Sequence, residues 1–277
     1  MTQEPKKYWM QFITQKMLNP EKSHLKVLVT RPQHQAGNLI QQLRQQGAEP
    51  VAFPLISIKK ITPDDNNYHQ IKQQILDLDL YQHIIFISPN AVHSGYDWID
   101  QYWPQLPLGV NWLAIGKQSA ITLSNYGIDA YHSPLGYDSE ALLKAPVLQN
   151  IAGDKVLIMR GEGGREKLAT ELRARGAEVS YAELYRRETP QYEDSEITDA
   201  LFKTPPDAIL ISSGEGLANL LRVGLGSKQQ FSTDSLLDCH LVVPSERIKE
   251  AAELKGFKRI TTASGPDDQS MIEAVMQ

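Results

Sequence analysis

Arg160-Gly161-Glu162-Gly163-Gly164-Arg165 is the run of this chain best equipped for chemistry. Its glycines let a backbone approach a ligand closely, and its two arginines can grip a carboxylate or phosphate through paired N–H donors. It is not a dinucleotide fingerprint, because no Gly-x-Gly-x-x-Gly stands there. It is not a Walker loop either, because no Gly-Lys-Ser/Thr follows. It reads either as an anion-binding loop or as a flexible turn with solvated arginines. Other loops share its place after a short apolar strand: Arg31-Pro32, Ser88-Pro89-Asn90, Gly116-Lys117-Gln118-Ser119, Ser212-Ser213-Gly214 and Pro244-Ser245-Glu246-Arg247. Most join a hydroxyl or glycine to a helix N-terminus, where free N–H groups and the helix dipole favour anions. The serine pairs also read as plain N-caps.

Tyr185 is the remaining candidate. It sits in an extended run, on an exposed-looking strand face with Tyr181, Glu183 and Arg187. A phenol is neutral at pH 7 and can donate a proton or hydrogen bond. The alternative is a tyrosine that packs a hinge. Familiar catalytic equipment is missing. His24, His34, His69, His83, His93, His132 and His240 show no metal-ligand spacing. No Gly-x-Ser-x-Gly elbow occurs. Asp64-Asp65 and Asp267-Asp268 stand in turn or N-cap contexts. Cys239 is the single cysteine, which excludes an internal disulfide, and it reads as a small buried hydrophobe.

The elements that must position these loops occur twice. Val27-Leu28-Val29-Thr30-Arg31 opens a segment whose helix ends at Gly47-Ala48-Glu49. Val156-Leu157-Ile158-Met159-Arg160 opens another, ending at Gly176-Ala177-Glu178. The offset is 129 residues at both landmarks, Val27 to Val156 and Gly47 to Gly176. His83–Ser88 matches Asp207–Ser212 at an offset of 124. Leu113-Ala114-Ile115 with a helix and Gly127 matches Leu241-Val242-Val243 with a helix and Gly256. Leu39, Ile40 and Leu43, then Leu168 and Leu172, give the helices apolar faces. Strands alternating with helices imply parallel sheets covered on both faces. The expected architecture is α/β, with two doubly wound lobes and a ligand cleft between them.

Ala48–Ile61 and Ala177–Glu188 depart from that grammar as long extended runs at equivalent positions. They could pair as a two-stranded antiparallel connector. The copies would then exchange their first βα units. The expected organisation is an N-terminal extension over 1–24, a discontinuous lobe 1 over 25–55 and 188–277, and a lobe 2 over 56–187 that includes the connector strand.

The chain has 277 residues, 41% hydrophobic and 22% charged, with a net charge of −5. That is an ordinary globular composition, and the charge argues against a general nucleic-acid binder. A small anion remains compatible, because local charge in a cleft can oppose the net charge. No run reaches the roughly 18 apolar residues of a membrane span. Trp9, Phe12, Ile13, Lys16 and Met17 have helical spacing, but Gln and Lys interrupt the run, unlike a signal-peptide core. That segment reads as a short amphipathic helix, a disordered tail or a membrane-surface segment. A cytoplasmic location is expected. The residues alone lead to a two-lobed binder of an anionic small molecule.

Several segments resemble the uroporphyrinogen-III synthase family. They are Val27-Leu28-Val29-Thr30-Arg31-Pro32 with Gly47-Ala48-Glu49-Pro50, Phe86-Ile87-Ser88-Pro89-Asn90-Ala91-Val92, Met159–Glu166 followed by Leu172–Ala177, Tyr185-Arg186-Arg187, and Pro244-Ser245-Glu246-Arg247. Their order and spacing carry the resemblance, which runs from about Leu25 to Val275. It implies two flavodoxin-like lobes joined by a two-stranded ladder. It implies cyclodehydration of hydroxymethylbilane, a linear tetrapyrrole polycarboxylate, to uroporphyrinogen III with the last ring inverted. It implies no cofactor and no metal, a monomer without nucleic-acid or membrane partners, and transient contact with the upstream bilane-forming enzyme. By the same resemblance Tyr185 assists departure of the hydroxyl group, and Ser119 matches a hydroxyl of the family's glycine-led loop. Arg31, Ser88, Asn90, Lys117, Arg160, Gly161, Arg165, Ser212, Ser213, Ser245 and Arg247 join it as substrate-binding candidates. Two positions depart from the pattern. Asn90 stands where the family often has Arg, and Pro244-Ser245-Glu246-Arg247 replaces a glycine with paired threonines. A non-catalytic tetrapyrrole- or anion-binding module on the same fold is the competing reading.

Overall fold

The computed structural model describes residues 25–136, 138–164, 166–226 and 233–277. The N-terminal helix reading of Trp9–Met17 falls outside them. Ten strands are present among the described residues: β1 Lys26–Val29, β2 Glu49–Ala52, β3 Ser57–Lys60, β4 His83–Phe86, β5 Asn111–Ala114, β6 Lys155–Gly161, β7 Glu178–Glu188, β8 Ala208–Leu210, β9 His240–Val243 and β10 Arg259–Thr262. They form two five-stranded sheets, ordered β10-β9-β8-β1-β2 and β3-β7-β6-β4-β5. The chain divides into two compact units. One comprises residues up to Ser57 together with Thr189–Gln277, and the other is Ile58–Glu188.

In the first unit every paired strand is parallel: β1 with β2 and β8, β9 with β8 and β10. Counted in chain order within the unit, the sheet reads 2-1-3-4-5, the flavodoxin-like doubly wound order. Side chains alternate across it. Leu28, Leu241 and Val243 join one buried cluster, while Val27, Val29 and Val242 join the other. That is the period-2 pattern of a strand buried on both faces. Helix Gln33–Gln45 buries Ala36, Leu39 and Leu43 against the second cluster. It stops at Gly47, whose φ of 80° suits glycine, and the Ala48 N–H caps the Leu43 carbonyl at 3.0 Å.

The second unit repeats this plan in a different chain order. β4 pairs in parallel with β5 and β6, and β6 with β7. A parallel bridge from Leu113 to Tyr131 stands where a further strand would. Started from β6, the order is again 2-1-3-4. Leu157 and Met159 face one cluster, Val156 and Ile158 the other. Gly176, at φ 89°, ends helix Lys167–Ala174 as Gly47 ends its counterpart.

The run expected to be extended from Ala48 to Ile61 is not one strand. It breaks around Pro54 into β2, in the first sheet, and β3, beside β7 in the second. Pro54 has no N–H to give to a ladder. The intervening Phe53 stacks on Tyr192 at 4.2 Å between ring centroids, and Leu55 is fully buried. The second run, by contrast, is a single strand of 11 residues. The Ile61 N–H meets the Leu184 carbonyl at 3.3 Å, and Lys59 Nζ lies 3.7 Å from Glu188.

Candidate functional site

A cavity of about 480 Å³ opens in the second unit, at the carboxyl ends of β4 and β6. These adjacent strands have connections that leave in opposite directions across the sheet. Ligands of open α/β sheets bind at such a switch point. Its wall includes Ser88 from the loop after β4, Arg160 and Gly161 from the end of β6, Gly163 and Gly164 from the loop beyond, and Tyr181, Tyr185 and Arg187 from β7. Asp138, Glu140 and Lys167 also line it.

Tyr185 owes its place to a bulge. The β6–β7 register runs Arg160↔Glu183 and then Gly161↔Tyr185, so Leu184 is an extra residue. Alternation therefore breaks. Leu184 and Tyr185 both join the cluster that holds Met159, whereas Tyr181 packs with the opposite one. The exposed strand face expected for Tyr185 with Glu183 and Arg187 is thus corrected: Tyr185 is only 3% exposed. Gly161 makes room for it, since a Cβ there would stand 2.6 Å from the ring. Tyr185 lines the cavity, and its phenol oxygen lies 3.1 Å from Ser88 Oγ. Ser88 is also the N-cap of helix Pro89–Tyr102, accepting the Ala91 N–H at 3.2 Å. That bond fixes the rotamer that points the hydroxyl at Tyr185.

Arg160 is the second feature. Its side chain is 2% exposed, so the solvated-arginine reading does not hold for it. Nε donates to the Gly161 carbonyl at 3.2 Å and Nη1 to Glu166 Oε1 at 3.3 Å. The guanidinium lies over the Tyr181 ring, 4.7 Å from its centroid. Nη2 has no hydrogen-bond partner among the described residues. Gly164, at φ 109°, passes so close that a Cβ would fall 2.5 Å from Nη2. The Tyr181 hydroxyl donates to Glu166 Oε2 at 2.5 Å. This hydrogen bond, aided by the Arg160 charge, holds the Glu166 carboxyl below its ordinary range. Burial, with Glu166 beside it, pushes the Tyr181 phenol up.

Of the residues singled out in the sequence, Ser88, Arg160, Gly161 and Tyr185 meet in this cavity. Asn90, in the first turn of helix Pro89–Tyr102, is half-buried and does not line it. Lys117 is exposed at the start of helix Lys117–Asn125, and Ser119 is buried in its first turn, also off the cavity wall. Arg165 lies outside the described residues. The remaining candidates belong to the first unit. Arg31 is engaged there, paired with Asp268 and donating to the Pro266 carbonyl at 2.6 Å. Ser213 accepts the Gly216 N–H at 3.0 Å, as a cap. Ser212 is half-buried, Ser245 holds N-cap backbone geometry, and Arg247 is exposed.

Sequence reasoning did not single out Glu166 and Tyr181. Tyr181 lies four residues before Tyr185 on the same run, and Glu166 immediately precedes a helix, but their pairing depends on how that helix packs on β7. Cys239 is buried, and burial pushes its thiol pKa up, as suits a core residue. Among the described residues no helix is long and apolar enough to cross a membrane.

The sequence profile described as "HEM4: Uroporphyrinogen-III synthase HemD" matches residues 37–273. The chain is 31% identical over 255 residues to the uroporphyrinogen-III synthase of Escherichia coli (strain K12), covering 91% of this chain and all (100%) of that one. It is 32% identical over 256 residues to the Salmonella typhimurium (strain LT2) enzyme of the same name, at 91% and 100% coverage. Its fold is similar to a crystal structure of mutant uroporphyrinogen III synthase from the extremely thermophilic bacterium Thermus thermophilus, with a TM-score of 0.57 and 17% identity over 90% of this chain and 96% of that one. The crystal structure of uroporphyrinogen-III synthetase from Helicobacter pylori 26695 gives a TM-score of 0.57 at 14% identity, over 91% and 98% of the two chains. At those identities the structures speak to the two-lobed α/β fold, and the sequence matches speak to descent. The chain belongs to the uroporphyrinogen-III synthase HemD family.

Proposed function

We propose that Tyr185 assists the departing hydroxyl of hydroxymethylbilane, with Ser88 orienting the phenol and Arg160 binding a carboxylate arm. The chain is a uroporphyrinogen-III synthase, a lyase of tetrapyrrole biosynthesis that cyclises this linear tetrapyrrole. A non-catalytic module on the same fold is not favoured by its relatives. In the reading offered here the C–O bond breaks as the hydroxyl takes the phenolic proton and leaves as water. The last pyrrole first bonds through its substituted α-carbon to give the spiro intermediate. The bond from that carbon to the preceding bridge then breaks and re-forms at the ring's free α-carbon, which gives up a proton and restores the phenol. The bilane loses its hydroxyl readily unaided, so the protein's main work is to hold a bent conformer in which a spiro intermediate can form. A cavity of about 480 Å³ is in the range of small-molecule sites and suits part of the bilane. Loop positions keep Ser119, Ser212, Ser245 and the other candidates apart from Arg31 as further carboxylate contacts. A monomer that takes its labile substrate by transient contact with the bilane-forming enzyme completes the reading.

The carrying observation is the Tyr185 hydroxyl, 3.1 Å from Ser88 Oγ on the cavity wall. Freshly generated hydroxymethylbilane, with isomers I and III resolved by chromatography, provides the test. Isomer III above the blank is expected, and isomer I alone would sink the assignment. Tyr185→Phe should slow cyclisation by about 10²–10⁴-fold, the usual range for general-acid assistance. Full rate in that variant would remove the proton-donor role.

A further inference from the structure

We propose that Glu166 and Tyr181 are positioning residues that hold Arg160 so that its free Nη2 takes one carboxylate arm of the substrate. This rests on the reading of the cavity given above. The guanidinium is 2% exposed, and Glu166, the carboxylate paired with it among the described residues, touches Nη1 at 3.3 Å. Glu166 is itself 60% exposed and shares its charge with Tyr181, whose hydroxyl holds the other carboxylate oxygen at 2.5 Å. The cation is therefore buried but incompletely compensated. Nη2 is shielded from solvent and keeps its donors unused among the described residues, in a side chain that lines the cavity wall. A buried charged donor without a partner is costly, and an incoming carboxylate removes that cost.

Three constraints fix the direction of Nη2. Glu166 pins Nη1, the Gly161 carbonyl pins Nε, and the Tyr181 ring supports the guanidinium plane. Arg173 stands 5.6 Å from the centroid of that ring and bonds the Val179 carbonyl at 3.1 Å. The Tyr181–Glu166 bond closes the arrangement. Without it the carboxylate can turn, and Arg160 can rotate to share both its η nitrogens with Glu166. The anchor would then be lost while the charge remained. Gly164 is needed because a side chain there would occupy the place beside Nη2.

The test is steady-state cyclisation of hydroxymethylbilane by Arg160→Gln, Glu166→Gln, Tyr181→Phe and the double variant Arg160→Gln/Glu166→Gln, with melting temperatures measured in parallel. Arg160→Gln should raise KM by about tenfold or more, the value of one charge-assisted hydrogen bond, and leave kcat within about twofold. Its KM should also depend less on salt than that of the unsubstituted chain. Glu166→Gln and Tyr181→Phe should raise KM by smaller factors. The double variant should be no worse than Arg160→Gln, because the positioning residues act through the arginine. Arg160→Lys, which keeps the charge but not the fork, should recover only part of the loss. If Arg160→Gln does not fold, binding of uroporphyrin III to Arg160→Lys and Tyr181→Phe reads the same anchor through tryptophan fluorescence. Unchanged KM or unchanged affinity, or strictly additive losses in the double variant, would overturn the proposal. Failure of the unsubstituted chain to make isomer III would instead overturn the function on which it rests.

Discussion

Gly161→Ala puts the placement of Tyr185 under direct test. The new methyl would stand 2.6 and 2.7 Å from two ring carbons of Tyr185. Carbon atoms pack at about 3.5–4.0 Å, so the ring must retreat by about 1 Å. The ring is 3% exposed and packs in the cluster that includes Phe86, Met159 and Leu184, so little space receives it. Moving the phenol oxygen that far stretches the 3.1 Å contact to Ser88 to roughly 4 Å, beyond hydrogen-bonding range. Overpacking of this kind costs about 1–3 kcal/mol of stability. A misplacement of about 1 Å in a reacting group costs on the order of 10²-fold in rate. The assay is kcat for isomer III formation beside thermal unfolding, with Tyr185→Phe as reference. The variant should melt lower yet stay folded, and its kcat should fall towards that of Tyr185→Phe. A Gly161→Ala chain with unaltered kcat, alongside a crippled Tyr185→Phe, would refute the link from bulge to phenol to rate.

Arg31→Ala should act on stability rather than on substrate, because the guanidinium is already engaged by Asp268 and the Pro266 carbonyl; a raised KM at unchanged melting temperature would contradict this. Asp267 caps helix Asp268–Met276 by accepting the Ser270 N–H at 3.0 Å, so Asp267→Ala should cost about 1 kcal/mol in a denaturant titration. Glu166 titrates below its ordinary range chiefly through its hydrogen bond from Tyr181. A folded-state pKa that is depressed contributes stability above the unfolded value, near 4.5, and loses it as pH falls through the lower folded value. Melting curves from pH 6 to pH 3 should therefore converge for the native chain and Glu166→Gln at the acid end. Parallel curves would show that the carboxylate gains nothing from its partners.

Much of the fold was legible because its signals are local. Val27, Leu28 and Val29 alternate between two clusters, and Leu39 and Leu43 share one helix face, as their spacing implies. Gly47 and Gly176 end equivalent helices with positive φ, so the repeat carries the same landmark in both copies. Loops at strand ends were found by the same grammar. Break and bulge were harder to read. The run after Gly47 divides at Pro54, although its residues alternate as if continuous. The face of Tyr185 was misread because the extra residue, Leu184, is defined by the register of β7 against β6 and by nothing within β7. Arg160 looked like a loop arginine. It is the sixth residue of a strand that extends to Gly161, buried over Tyr181.

The sequence by itself determined the duplicated α/β plan, the strand ends where ligands bind, and the residue types available there. Hydrophobic periodicity and turn chemistry are properties of neighbours along the chain, so one strand of text carries them. Only the tertiary structure decided which of those residues meet. Arg31 found Asp268, 237 positions away, and was taken up, while Arg160 kept one nitrogen without a partner among the described residues. That choice depends on strand order and on register across a sheet, where a shift of one residue sends a side chain to the other face.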